Sequence, residues 1–252
     1  MPQARFHTDL SLPYWLVRER DTSINVSIFD ATTGEAATVT SAVVSLLKPD
    51  GTAVVDEIAA VVSATNLVTY TVLATAVPAT EALSAIWVVR WGVTIGGIVY
   101  DFESLAHVAR REPLAPVIVT DLHARHQTLV TLKTRTKTNR QLLAESITVT
   151  WETVLRRIIH AGRDPERIMS LHNLYDLVIW GAMGHAFLDA ASSLNSGGQL
   201  GELGAFYDKK FEKAWNSLKL DYDANGDGQI AVEEQRRSGV PVLMVGVKRW
   251  RG

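Results

Sequence analysis

The apolar residues of this chain follow two different periods, and the change occurs near Pro113 and Pro116. Before these prolines apolar and polar residues alternate, as around Ile24, Val26 and Ile28, which is the period of a strand with one buried face. After them, apolar residues recur three and four positions apart, as on one face of a helix. The sequence therefore predicts an α+β chain with a β-rich front and a helical remainder.

The front segment, residues 1–118, contains several strand-like runs separated by turn residues. The run TSAVVSLL leads into Lys48-Pro49-Asp50-Gly51, a favourable turn sequence, and TAVV follows, which predicts a hairpin. The segment NLVTYTVLATAV alternates again, and the pair Gly96-Gly97 joins two further strand-like runs. Short strands with turns between them predict an antiparallel β-sandwich.

Residues 119–222 are predicted to form a small helical bundle. One helix has its apolar face at Leu142, Ile147, Trp151, Val154, Leu155, Ile158 and Ile159. Gly162 is predicted to end it, and Asp164-Pro165 to begin the next helix as N-cap and first helical position. Residues 172–191 are nearly all apolar but are interrupted by charged residues, so a buried core helix is expected rather than a membrane span. The last helix is marked by Leu203, Tyr207, Phe211, Ala214, Trp215 and Leu218.

The stretch DANGDGQIAVEE, residues 223–234, has the spacing of an EF-hand calcium loop, with a glycine at the sixth position and a glutamate at the twelfth. It predicts a single structural Ca²⁺ site whose ligands are Asp223, Asn225, Asp227, Gln229, Ala231 and Glu234. Gly239 and Pro241 stop the exiting helix early, and no second loop accompanies this one, so a fixed clip is favoured over a calcium sensor. The alternative is a solvated turn that binds no ion.

No pattern in the chain predicts catalysis. There are no cysteines, which excludes disulfides, cysteine zinc sites and thiol catalysis, and no nucleophile-elbow, P-loop or HExxH motif is present. His123 and His126 lie beside Asp121 at a spacing that suits a metal or an oriented base, although histidines on a helix face are the simpler interpretation. His185 is expected to be a hydrogen-bonded histidine within the core helix. We expect a protein that is not an enzyme.

Two basic clusters are candidate contact surfaces. The segment TLKTRTKTNR carries four possible channel or interface residues, Lys133, Arg135, Lys137 and Arg140, on a linker or on a strand with one cationic face. The C-terminal arm, residues 235–252, combines apolar and basic residues that suit a partner's groove or phosphates: Val242, Leu243, Val245, Lys248, Arg249, Trp250 and Arg251. A solvated surface is the alternative for each cluster.

Residues 119–252 resemble the head-to-tail adaptor (connector) proteins in the neck of long-tailed bacteriophages. The resemblance rests on Asp121-Leu122, on the stretch from Trp151 to Leu155, on AGRDPERIMSLHNLYDLVIWGAM and on YDKKFEKAWNSLKLDYDANGDG. The front segment, with IWVVRWGVTIGGIVYDFES, looks like the Ig-like domain that some adaptors carry before the helical part.

This resemblance implies a structural virion protein, made in the host cytoplasm without a signal peptide or a membrane contact. Such adaptors form a homo-oligomeric ring under the portal protein, extend the channel through which DNA passes, and present a platform to the next neck or tail protein, a stopper or a tail terminator. The C-terminal arm would then grip the portal. The alternative is a calcium-clipped Ig-like binding module of a phage tail or surface protein, with Trp87, Trp91 and Tyr100 either forming a sugar platform or packing in the core.

Overall fold

A computed structural model describes residues 6–8, 12–194 and 198–223 of the chain. The chain divides into two compact units, Met1–Pro113 and Leu114–Gly252. The first is built from strands and the second from helices, so the α+β class is confirmed.

Within the described part of the first unit, eight strands form one curled sheet in the order β1-β3-β6-β5-β4-β7-β8-β2. The strands are β1 (Phe6–Thr8), β2 (Tyr14–Val17), β3 (Thr22–Asp30), β4 (Val39–Leu47), β5 (Ala53–Ala64), β6 (Leu67–Val72), β7 (Ile86–Ile95) and β8 (Ile98–Ala109).

Glycines at the turns set the register of the two hairpins that the sequence predicts. Gly51 has φ +83° between β4 and β5, and Gly96 and Gly97 have φ +59° and +81° between β7 and β8. Two consecutive positive φ values are what a two-residue hairpin turn requires, and Ile95 accordingly pairs with Ile98. The turn chemistry and the alternating burial of β3 and β7 follow directly from the sequence.

The sheet differs from an all-antiparallel sandwich in one pair, because β2 runs parallel to its neighbour β8. These two strands lie at opposite ends of the unit's sequence, so no short turn forces them to be antiparallel. Strand β5 also joins two parts of the sheet: Ala53–Ala60 pairs with β4, and Val61–Ala64 pairs with β6. The spacing of apolar residues within a strand predicts neither the parallel pairing of β2 with β8 nor the two partners of β5.

Two tryptophans fill the core that the curled sheet encloses. Trp87 and Trp91 are both 0% exposed, because the alternation along β7 turns them inward with Val89 and Val93. Tyr100 packs edge-on against Phe6, with ring centroids 4.9 Å apart. The core interpretation of these aromatics is therefore confirmed, and the sugar platform built from Trp87 and Trp91 is wrong.

The second unit contains α1 (Val119–Arg125), α2 (Asn139–His160), α3 (His172–Leu194) and α4 (Gln199–Asn216) within its described residues. Thr138 and Gln141 cap the start of α2 reciprocally, and Gly162, with φ +71°, follows its end. The helix predicted to start at Asp164 is only one turn long, with Asp164 and Pro165 at the predicted N-cap and first positions. Pro165–Arg167 forms only a 3₁₀ turn, and the Asp164 carboxylate pairs with Arg167 at 3.4 Å rather than capping a helix.

Helix α3 is the central element of the bundle and packs against both α2 and α4. It is long and apolar enough to cross a membrane by length and composition alone. Its apolar residues are nevertheless buried inside the unit, including Leu174, Val178, Met183 and Phe187, each 0% exposed. The predicted core helix is confirmed.

Glycines allow α3 and α4 to approach each other closely. A Cβ on Gly184 would lie 3.1 Å from the backbone nitrogen of Asp208, and a Cβ on Gly204 would lie 2.6 Å from Cγ of Leu188. A methyl group at Gly184 meets backbone, which cannot rotate away, so the two helix axes would have to separate.

We expect Gly184→Ala to lower the free energy of unfolding by about 1–3 kcal/mol through overpacking. Gly201→Ala is the matched control, because it lies in α4 with nothing within 4 Å of the added Cβ. It should raise stability by about 0.5–1 kcal/mol through helix propensity. Urea unfolding of both variants checks this, and equal effects of the two substitutions would contradict the close-packing account.

Candidate functional site

One predicted calcium ligand, Asp223, lies among the described residues. It is 2% exposed, and its backbone N–H donates to the carbonyl of Arg167 at 3.0 Å. The N–H of Met169 donates to the carbonyl of Asp221 at 2.8 Å, so the chain entering the loop is held against residues 167–169. The start of the predicted loop therefore has a fixed direction.

The other predicted ligands lie outside the described residues: Asn225, Asp227, Gln229, Ala231 and Glu234. The same holds for the arm residues Val242, Leu243, Val245, Lys248, Arg249, Trp250 and Arg251. Across residues 6–8, 12–194 and 198–223, no group of three or more His, Cys, Asp or Glu side chains is placed to hold a metal. The calcium site stays a prediction.

The basic segment is an ordered loop that precedes α2, not a strand. The Thr134 hydroxyl accepts the backbone N–H groups of Thr136 at 3.3 Å and Lys137 at 2.9 Å, which closes a local turn. The N–H of Arg135 donates to the hydroxyl of Ser193 at 2.9 Å, so the loop is attached to the end of α3. Lys133 and Arg135 are exposed on it, and Arg140 is exposed in the first turn of α2.

Lys137 differs from the other three basic residues because its ammonium group is bound within the unit. Its Nζ lies 2.7 Å from Oε1 of Glu145 on α2 and 3.1 Å from Oδ2 of Asp189 on α3. The hydrogen bonds to Glu145 and then to Asp189 raise the pKa of Lys137. The structure thus assigns Lys137 to the attachment of the loop, and leaves three residues for an outward contact.

His123 and His126 do not converge on one site. Nε2 of His123 lies 3.0 Å from Oδ1 of Asn139, and the Asn139 amide donates to the carbonyls of Leu129 and Leu132, so His123 carries its proton on Nε2. Nδ1 of His126 instead accepts the backbone N–H of Thr128 at 3.3 Å. The two histidines organise the connection between α1 and α2.

The carboxylate of Asp121 caps the start of α1. Its Oδ2 accepts the N–H of Ile118 at 2.8 Å, at the start of α1. The ring of His126 also packs edge-on against Phe187 and Tyr207, with ring centroids 5.3 and 5.9 Å away. The simpler interpretation of the histidines as helix-face residues fits these contacts.

His185 is hydrogen-bonded inside the bundle, as expected. Its Nδ1 lies 3.2 Å from the hydroxyl of Ser146, which itself donates to the carbonyl of Leu142 at 2.7 Å. Since a hydroxyl has a single proton, Nδ1 of His185 must be the donor to Ser146. Its Nε2 is left as an acceptor beside a groove of about 180 Å³ that Leu188 and Asp208 also line.

An arginine closes one end of this groove, which the sequence did not indicate. Arg157 of α2 pairs bidentately with Glu212 of α4, at 3.0 and 2.5 Å. Its guanidinium also lies over the rings of Phe211, at 5.0 Å, and Trp215, at 5.4 Å. Arg157 and Glu212 are 55 positions apart in the sequence, so no local spacing of residues predicts that they pair.

A stack of aromatic rings, of which Tyr207 and Phe187 are buried, has cations along its outer edge, and this edge is the aromatic surface of the bundle. Tyr207 stacks between Trp180 and Phe187, with ring centroids 5.9 and 5.8 Å away. Lys210 places its Nζ 4.4 Å from the Trp180 ring centroid, and Arg125 lies 5.8 Å from the same ring. Such an arrangement suits protein contacts, because cations and aromatic rings are common in interface centres.

A cleft of about 560 Å³ lies between the start of α3 and the end of α4. His172, Asp176, Lys219 and Asp221 line it over an apolar floor that includes Leu177. Asp176 already accepts a hydrogen bond from Arg125 at 2.8 Å. The cleft mixes both signs of charge and assembles no acid–base pair that the structure orients toward a common point.

Neither family models nor curated proteins match this chain. Among solved structures, a Lin-41 filamin domain is 17% identical and covers 42% of this chain and 94% of its own, with a TM-score of 0.29. The α-2-macroglobulin of E. coli is also 17% identical, over 44% of this chain and 6% of its own, with a TM-score of 0.30. An engineered protein is 15% identical over 41% and 20%, with a TM-score of 0.29. The chain spans only a small part of the last two proteins, and scores this low establish no shared fold or function.

We expect Lys137→Gln to destabilise the protein at neutral pH by removing the ion pairs to Glu145 and Asp189. Because the folded-state pKa is raised above the ordinary 10.5, this stabilisation is complete below that value and is lost as the pH rises through the higher folded pKa.

Urea unfolding of wild type and variant from about pH 8 to about pH 12 checks this. The stability difference should be constant at first and then shrink above the ordinary lysine pKa. Lys133→Gln is the control, because this exposed side chain should give no such difference. A difference that persists at the highest pH would refute the ion-pair assignment.

Proposed function

We propose that this protein is a head-to-tail adaptor, a structural subunit that forms a ring under the portal in the neck of a long-tailed bacteriophage. The main support is the order of elements in the helical unit. Asp121 and Leu122 lie in the short α1, Trp151 lies in the long α2, and the turn with Gly162 and Pro165 precedes the buried α3. This succession is the one that the sequence resemblance implies.

We infer that the β-rich unit is an added Ig-like domain. Strands β1, β3, β6 and the end of β5 follow one another as A, B, E and D do in an Ig layer. Strands β4, β7 and β8 follow one another as C, F and G do in the opposite layer, and the start of β5 pairs with β4 beside them. Ile24, Val68 and Trp91 belong to one core cluster drawn from both layers, which supports this assignment.

A closed ring needs two different surfaces on each subunit, because adjacent copies meet head to tail. The bundle offers two candidates. One is the aromatic surface, where Phe206 is 50% exposed beside Lys210. The other is the groove edge, where Leu188 is 44% and Val149 is 36% exposed. Contact between these surfaces of neighbouring copies would bury exposed apolar side chains.

The remaining assignments belong to the same proposal. Residues 223–234 hold one Ca²⁺ ion and set the direction of the arm, and residues 235–252 grip the portal protein. Lys133, Arg135 and Arg140 face the channel, where DNA passes, or a neighbouring subunit. The next neck or tail protein, a stopper or a tail terminator, binds below the ring. The protein belongs to the virion, is made in the host cytoplasm and contacts no membrane.

We expect the full-length chain to bind the portal protein of its phage, and deletion of residues 240–252 to abolish that binding. The physical reason is that the deletion removes the apolar and basic residues, including Trp250, that a partner's groove would bury. Co-purification over a tagged portal measures the result. Arg20→Gln with Arg110→Gln, which removes two exposed basic residues of the first unit, is the control and should leave binding intact. Equal retention of the deleted and full-length chains would show that the arm assignment is incorrect.

A further inference from the structure

One face of the first unit's sheet is turned away from the core and carries exposed apolar side chains. Alternate residues of three neighbouring strands form this outer face: Ser41, Val43, Ser45 and Leu47 of β4; Val88, Arg90, Gly92 and Thr94 of β7; and Val99, Asp101, Glu103 and Leu105 of β8. Val99 is 62% exposed, Leu105 50% and Val43 37%. Exposed apolar side chains on a sheet face indicate a contact surface.

The outer face is flat near its middle because Gly92 has no side chain. A Cβ there would lie 2.9 Å from Cγ2 of Val43, so Val43 already leans across the glycine. Ser41, Ser45 and Thr94 are also small. A flat, twisted sheet face is the surface that a second sheet can pack on.

The charged residues at the centre of this face form one pair. Arg90 and Glu103 are directly opposite each other on β7 and β8, with Nε and Oε1 2.7 Å apart. Their side chains are 59% and 60% exposed, so both have donor or acceptor capacity left for a partner. On one side of them lies the apolar pair Val88 and Leu105, and on the other lies the pair of Gly92 and Asp101.

We propose that this outer face binds a second copy of the chain, around a two-fold axis that runs parallel to the strands between β7 and β8. Such an axis puts β7 of one copy over β8 of the other at the same level. Arg90 then faces Glu103 of the second copy, and Val88 faces its Leu105. The same symmetry operation repeats each contact in reverse.

The register of β7 with β8 is the reason for choosing a second copy as the occupant. We call each pair of opposite residues on β7 and β8 a row. In each row the two side chains can also complement each other between copies: Arg90 meets the carboxylate of Glu103, Val88 meets the apolar Leu105, and Gly92 leaves room for Asp101. No row brings like charges together. The charge pattern of β7 and β8 on the outer face is therefore complementary to itself, independently of how the helical unit assembles.

Two charge reversals test this pairing in the full-length chain. Arg90→Glu places Glu at both position 90 and position 103, and Glu103→Arg places Arg at both of these positions. Each variant alone should raise the dissociation constant of the two-fold contact roughly tenfold or more, because like charges then face each other. Mixing the two variants should restore association, because each carboxylate then faces a guanidinium of the other variant.

Sedimentation velocity measures the result at low ionic strength. Either variant alone should sediment as a smaller species, which is a single copy or a ring. Wild type and the mixture of the two variants should each sediment as a species of twice that mass. This readout separates the two-fold contact from the proposed adaptor function. Arg20→Glu is the matched control, because Arg20 is exposed in the turn between β2 and β3, off the outer face, and should not change the doubling.

Two outcomes overturn the proposal. One is that wild type and both variants sediment as the same species. The other is that the mixture fails to regain the mass that each variant lost, since Arg90 and Glu103 then pair only within one copy. A folded far-UV circular dichroism spectrum of each variant ensures that lost association is not lost folding.

Discussion

The contact between α3 and α4 is the constraint on which the helical unit depends. Gly184 and Gly204 bring the two backbones close enough for Tyr207 of α4 to stack between Trp180 and Phe187 of α3. The same approach forms one wall of the groove beside His185. An apolar helix such as α3 is stable in a protein only when its neighbours cover it, and here α2 and α4 cover it from two sides. The surfaces proposed for ring contacts are consequences of this packing.

Hydrophobic period and turn chemistry predicted much of the architecture. The hairpin at Gly96 and Gly97 and the core helix α3 were predictable because each follows from a local rule about backbone angle or apolar spacing. The parallel pairing of β2 with β8 was not, because it joins residues far apart in sequence. The local rule at Asp164 predicted where a helical turn starts but not that it ends after one turn, and the Asp164 carboxylate pairs with Arg167. Local rules fail where a side chain has a better partner in the folded chain.

The residues of the candidate site were likewise predictable only in part. The loop and arm predictions concern residues mostly beyond those that the structure describes, while Lys137 within the basic segment is bound to Glu145 and Asp189. No spacing rule distinguishes Lys137 from Lys133 and Arg135, because its partners lie on two other helices. The Arg157–Glu212 pair and the rings around Lys210 are equally non-local. Sequence alone located charged clusters but did not separate structural ion pairs from free surface charge.

Assembly into a ring is the central claim of this account, and electron microscopy of the purified full-length chain tests it most directly. The account predicts closed, symmetric rings around a central channel, with the helical units in contact and the β-rich units attached to them. Head-to-tail contacts between two different surfaces give a closed ring when the rotation between neighbours closes, and an open filament when it does not. Particles that contain only single copies or two-fold pairs, even at high protein concentration and with portal protein added, would contradict it.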